Sequence, residues 1–324
     1  MIATTDNGVR KTALICGVSG QDGTYLAQLL SGKSYRVVGT SRDAHIGTFD
    51  GLTRLGLRDK VEVCSMALND FRSVLQTLNR AEPDEVYNLG GQSSVGLSFD
   101  QPVETIESII LGTLNLLEGI RFMGRDIRLY NAGSSECFGN AGDGQCCELS
   151  PFHPRSPYAV AKAAAFWQVA NYREAYGLHA SSGILFNHES PLRPERFVTQ
   201  KIVRAARRIG AGSGEKLVLG NLHIQRDWGW APEYVEAMWR MLQQDVPTDF
   251  VIATGESHSL EEFVAQAFAI AGLDWRDHVS IDPRLFRPTD LETSRADPSR
   301  AANILGWQAS SHMPDVVKLM MAAV

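Results

Sequence analysis

The chain has 324 residues, 44% of them hydrophobic and 21% charged, an ordinary globular composition with room for one large domain or two smaller ones. Its formal net charge of -6 argues against unspecific binding to nucleic acid or to an anionic membrane, and leaves only local basic sites for an anionic ligand. No apolar run approaches the roughly 20 residues a membrane helix needs, and five cysteines without metal-site spacing point to reduced, cytoplasmic thiols and to no metal site.

The first residues, MIATTDNGVRK, lack the apolar core of a signal peptide and read as a short lead-in. TALICGV predicts a buried strand, and TYLAQLLSGKS a helix. YRVVGTSR is a second strand and FRSVLQTLNRA a second helix; EVYNLGG and IRLYNAGS follow as the third and fourth strands, with the helical SIILGTLNLLEGIRFMG between them. ASSGILFNHES predicts one more strand after the helix that carries YAVAK. Strands alternating with helices of this length predict an α/β fold with a doubly wound parallel sheet. From about residue 188 the rhythm turns irregular, with Pro- and Arg-bearing loops, and predicts a smaller domain interleaved with the first.

Between the first strand and the first helix, GVSGQDG places Gly17, Gly20 and Gly23 in a G-x-x-G-x-x-G pattern. Glycines there allow a tight turn and let a pyrophosphate approach a helix N-terminus. The second strand ends in Arg42 followed by Asp43. An arginine at this point accommodates the extra phosphate of NADP and an acid takes the ribose hydroxyls of NAD, so the pair is mixed and favours NADP over NAD.

Tyr158 and Lys162 of YAVAK project from one face of a helix. An ammonium beside a phenol is expected to lower its pKa, so that the phenolate accepts a proton from an alcohol while the alcohol carbon yields hydride to a nicotinamide. Ser134 and Glu136 of NAGSSE follow the fourth predicted strand, at the sheet edge where ligands of such folds bind. Ser134 is placed to bond the substrate hydroxyl. Plain alcohol oxidation has no use for the Glu136 carboxylate, which suggests removal of a proton alpha to a carbonyl, then elimination.

These residues resemble the extended short-chain dehydrogenase/reductases that modify nucleotide sugars. Within that group the chain is similar to the GDP-mannose 4,6-dehydratase family over nearly its whole length. The likeness is carried by GVSGQDGTYLA, EVYNLGGQSSVGLSF, FHPRSPYAVAK, NYREAYGLHASSGILFNHESPLR, FVTQKI, LGNLHIQRDWG, DFVIATG, DPRLFRP and ILGW. It implies a Rossmann-type domain binding NADP over residues 1–187 with parts of about 221–254. It implies a smaller α/β domain, from about 188–220 and 255–324, binding the nucleotide sugar. The implied reaction converts GDP-mannose, or a close GDP-hexose or heptose, to the GDP-4-keto-6-deoxy sugar.

By matching motif, the resemblance makes Ser134, Glu136, Tyr158 and Lys162 the catalytic set. It assigns to the cofactor Gly17, Gly20, Gln21, Asp22, Gly23, Arg42, Leu68, Leu89, Gln92 and Ser93, then Tyr158, Lys162, His188 and Arg193. The nucleotide sugar would meet Asn187, Lys201, Arg226, Arg287 and Glu292, the cations supplying the positive charge a diphosphate needs. The family forms oligomers, so a homodimer or homotetramer is expected. The chain departs from the family where Asp43 replaces an arginine, Ala67 an aspartate, and Gly133–Ser134 the usual Ser–Thr. A GDP-keto-sugar reductase or epimerase of the same fold is the alternative, and a non-catalytic nucleotide-binding regulator a third reading. Retention of Glu136 disfavours the reductase, and retention of Tyr158 with Lys162 disfavours the regulator.

Overall fold

Short runs that are apolar on both faces make strands that can only be stable between two layers of helices. The computed structural model describes residues 10–323 apart from 141 and 143, so the expected lead-in before Arg10 lies outside the described residues. The chain runs β1 (Thr12–Cys16), α1 (Gln21–Gly32), β2 (Arg36–Ser41), α2 (Asp50–Arg54), β3 (Glu62–Ser65), α3 (Phe71–Ala81), β4 (Glu85–Asn88), α4 (Val95–Asp100), α5 (Pro102–Ile106), α6 (Gly112–Met123), β5 (Arg128–Ala132), α7 (Pro157–Tyr176) and β6 (Ala180–Leu185). It continues through β7 (Asn187–Glu189), α8 (Val198–Gly210), β8 (Leu217–Leu219), β9 (Gln225–Arg226), β10 (Trp228–Trp230), α9 (Ala231–Leu242), β11 (Phe250–Ile252), β12 (His258–Ser259), α10 (Leu260–Ile270), β13 (Val279–Ile281) and α11 (Met313–Ala323). No helix among the described residues is long and apolar enough to cross a membrane.

Seven strands form one parallel sheet in the order β3-β2-β1-β4-β5-β6-β11. This is the Rossmann-type doubly wound arrangement. The order reverses between β1 and β4, and ligands of such sheets bind beyond the carboxyl ends of the strands at that point. Along β1 the side chains alternate between two cores. Ala13 and Ile15 pack with Leu26 and Leu30 of α1 and Val235 and Met238 of α9. Leu14 and Cys16 pack with Val74 and Leu78 of α3, Leu116 and Ile120 of α6 and Val169 of α7.

Two expectations need correction. One strand beyond those expected, β3, forms a four-residue edge whose Glu62, Val63 and Cys64 are only half buried. With so little apolar alternation it carries no periodic signal, and it makes the strand before NAGSSE the fifth in the chain. ASSGILFNHES is two strands, not one. The chain leaves the large sheet after Leu185, and Asn187–Glu189 pairs with β10 in a separate two-stranded sheet.

A third apolar cluster gathers Ile202 and Val203 of α8, Leu217 of β8, Phe263 and Phe268 of α10, and Val316 and Met320 of α11. Between these elements, α9 and β11 return to the large sheet, and Ala301, Leu305 and Trp307 pack on the α1/α9 side.

At the amino end of the sheet, opposite the ligand edge, Glu85 is 1% exposed. Its carboxylate accepts from Tyr87 Oη at 2.7 Å, Tyr35 Oη at 3.0 Å, and Lys11 Nζ and Gln243 Nε2 at 3.2 Å each. Replacing Glu85 by alanine would strand these donors, and each hydrogen bond to a charged group contributes about 1.5–3 kcal/mol. Glu85→Ala is expected to lower unfolding stability by about 3 kcal/mol or more in urea titration, whereas a loss below about 1 kcal/mol would show that the network contributes little.

Candidate active site

The glycine loop is built by three glycines with different duties. Gly17 has φ of +84°, and a Cβ there would stand 3.0 Å from Leu89 O and 3.1 Å from Gly90 Cα. At Gly23 a Cβ would lie 2.3 Å from Gly17 O and 2.7 Å from Val18 Cα, so this residue lets α1 pack directly on the loop. Gly20 meets only Gly17 O at 3.4 Å and begins α1 without a side-chain cap. The first turn of the helix therefore keeps free N–H groups for an anion.

Beside this loop a cavity of about 590 Å³ opens between the carboxyl ends of β1 and β4. Gly17, Arg42, Leu68, Gln92 and Ser93, all expected to meet the cofactor, line it. The loop's shape and this cavity fit a dinucleotide. A second, more open depression of about 630 Å³ beside α10 carries none of the expected residues.

Gln21 and Asp22 brace the loop against the crossover that follows β6. Gln21 Nε2 donates to His188 O at 3.1 Å, and its Oε1 accepts from Ser190 Oγ at 2.8 Å. His188 Nε2 lies 2.9 Å from Asp22 Oδ2, its Nδ1 is 2.7 Å from Phe186 O, and the ring stacks on Tyr234 with centroids 4.5 Å apart. Burial alone would raise Asp22 and lower His188. The mutual attraction outweighs it, so the carboxyl sits below its ordinary range and the imidazole above. Arg193 pairs with Glu189 at 3.3 Å and lies over the Phe197 ring. Ser190 was not anticipated, and its sequence context gives no signal for it.

At the reacting end, Ser156 caps α7 by accepting from Ala159 N at 3.1 Å, and Pro157 opens the helix. FHPRSP thus fixes where YAVAK begins. Tyr158 and Lys162 are each 9% exposed. Lys162 Nζ donates to Ala132 O at 2.8 Å and lies 5.8 Å from the Tyr158 ring centroid. Burial pushes the phenol above its ordinary value, with the neighbouring Ser134 hydroxyl pulling it back and Cys137 and Glu136 adding to the rise. Burial here outweighs the lowering expected from the ammonium.

Burial lowers Lys162 to about 8, opposed by Cys137 and Asp22. The unfolded chain therefore binds more protons than the folded one between that value and the ordinary 10.5, and stability rises with pH across this window. Lys162→Met is expected to remove most of a rise of roughly 2 kcal/mol, read as the difference between the two proteins' unfolding free energies at pH 7.5 and pH 10. Parallel pH dependence in both would contradict the burial of a titrating lysine.

Glu136 sits in the 3-10 turn Ser135–Phe138, which Ser134 opens by accepting from Glu136 N at 3.3 Å. Its carboxylate is half buried, has no hydrogen bond or ion pair among the described residues, and lies within electrostatic reach of both Tyr158 and Arg226. Arg226 is 5% exposed and donates to Leu291 O at 2.8 Å; it shares Asp290 with Arg287, at 3.4 and 3.9 Å. Burial lowers Arg226, while Glu136 and then Asp290 hold it up. Asp290, which neutralises part of this charge, was missed because an acid in a Pro-bearing loop looks like any solvated residue.

The other expected substrate residues are less gathered. Asn187 lies half-buried in β7, next to His188. Lys201 gives its ammonium to Val218 O at 2.7 Å, and Glu292 is exposed.

A model of the family described as GDP-mannose 4,6 dehydratase matches residues 14–320. The chain belongs to that family. A GDP-mannose 4,6 dehydratase 1 of Arabidopsis thaliana is 47% identical over 322 residues, covering 96% of this chain and 89% of the relative. The dehydratase-family chain also superposes on solved structures of the same fold. A Thermotoga maritima UDP-glucose 4-epimerase with UDP-glucose gives a TM-score of 0.86 at 20% identity, over 96% of this chain and 98% of that one. A Thermus thermophilus UDP-glucose 4-epimerase in complex with NAD gives 0.83 at 25% identity, over 97% and 100%.

Proposed function

We propose that the protein is a GDP-mannose 4,6-dehydratase, a hydro-lyase that removes water from C6 of the hexose with no net oxidation. The observation that carries this reading is the family match over residues 14–320, together with a Glu136 carboxylate that has no partner among the described residues and lies within electrostatic reach of Tyr158. With it goes a proposed division of labour: a dinucleotide domain over residues 1–187 with parts of about 221–254, and a sugar domain over about 188–220 and 255–324.

The cofactor we assign is NADP. Gly17, Gly20 and Gly23 would admit its pyrophosphate, and Arg42, in the cavity lining at the end of β2, would meet its 2′-phosphate. Bound there, NADP would supply the hydride acceptor for C4 and the hydride donor for C6 of the sugar. Tyr158 accepts the C4 hydroxyl proton, with Lys162 the ammonium beside it. Ser134 bonds the sugar oxygen, and Glu136 removes the C5 proton once C4 is a ketone, so that hydroxide leaves C6 with a proton. Arg226 and Arg287 hold the diphosphate, with Asn187, Lys201 and Glu292 around the nucleotide sugar.

Free thiols at all five cysteines support a reducing, cytoplasmic setting. Exposed Val103 and Ile106 of α5 and Val160 and Trp167 of α7 support self-association into a dimer or tetramer. Mass spectrometry tests the function. Purified protein given GDP-mannose and no added reductant should yield a nucleotide sugar lighter by one water, whereas stoichiometric consumption of NADPH would favour a reductase.

A further inference from the structure

The dinucleotide cavity is lined by charges of both signs. Arg42, at the end of β2, is 86% exposed, and its Nη1 donates to Glu104 Oε1 of α5 at 3.1 Å. Both side chains line the cavity, as do Glu107 and Arg196, so its charged lining among the described residues is two cations and two anions. Asp43, the acid that adjoins Arg42 in sequence, is not part of this lining. Its Oδ1 accepts from His45 N at 2.8 Å and Ile46 N at 3.2 Å, which turns the carboxylate into its own loop. The anion that opposes Arg42 comes instead from a helix 62 residues further along.

We propose that Glu104 is a specificity-determining residue: it competes with the 2′-phosphate of the cofactor for Arg42 and so narrows the preference for NADP over NAD. This rests on the assignment of NADP above. The two cofactors differ at one point, the group on the adenosine ribose. A 2′-phosphate brings close to two negative charges to Arg42 and has to displace Glu104 or sit beside it. The ribose hydroxyls of NAD bring no charge and can donate to a carboxylate, the usual arrangement in NAD-binding sheets. The ion pair is open to water and therefore weak in itself. Its effect lies in occupying Arg42, which the 2′-phosphate needs and the ribose hydroxyls of NAD do not.

Calorimetric titration with NADP⁺, NAD⁺ and 2′,5′-ADP tests this without any turnover. Glu104→Gln is expected to tighten NADP⁺ and 2′,5′-ADP by about tenfold and to leave NAD⁺ within about twofold. In an Arg42→Gln background the same change should give less than about a threefold gain, because the group competed for is gone. Equal shifts for both dinucleotides, or no shift in either, overturn the role of Glu104. The NADP assignment fails separately: it is overturned if Arg42→Gln holds NADP⁺ as tightly as the unaltered chain, whatever Glu104 does.

Discussion

Tyr158→Phe is expected to reduce turnover of GDP-mannose by about 10²–10⁴-fold, the usual contribution of a positioned acid–base group, while dinucleotide affinity stays within about threefold. The substitution removes one oxygen and keeps the buried ring, so α7 and its cap at Ser156 have no reason to shift. What disappears is the group that takes the C4 hydroxyl proton, without which the first oxidation has nowhere to send it. Retention of more than about a tenth of the activity would show that another group serves as base.

Glu136→Gln is the second large expected effect, again a loss of about 10²–10⁴-fold in product formation, but by a different route. Glutamine keeps the size of the side chain and discards its basicity. The carboxylate has no protein partner among the described residues to lose, so the fold should be unaffected. Oxidation at C4 makes no use of the Glu136 carboxylate and should persist. The C5 hydrogen of the sugar should therefore stop exchanging with deuterated water in Glu136→Gln, as NMR of recovered nucleotide sugar would show. Exchange at the unaltered rate would move the C5 base elsewhere.

The parts of this account that sequence revealed are those where local chemistry dictates the structure. TALICGV had to be a strand buried on both faces, and the three glycines after it had to turn tightly, as the contacts at Gly17 and Gly23 bear out. The four-residue spacing of YAVAK announced the pairing of Tyr158 and Lys162 on one helical face, and the helix α7 carries both. Features that depend on distant partners were hidden. β3 has too little apolar alternation to be seen outside the sheet whose edge it forms. Asp290 gains meaning only once Arg226 and Arg287 converge on it. The Tyr158 phenol was misjudged because helical spacing reports an ammonium nearby and says nothing of the desolvation around it. Glu104 is likewise one more acid on a short helix until the fold brings it to Arg42.

The most direct test of internal hydride return is the fate of deuterium placed at C4 of GDP-mannose. The label should appear at C6 of the 4-keto-6-deoxy product, within the same molecule and without dilution by added unlabelled NADPH. A product free of deuterium at C6, or one labelled in proportion to the external cofactor pool, would contradict a closed cycle at Tyr158, Lys162 and Glu136.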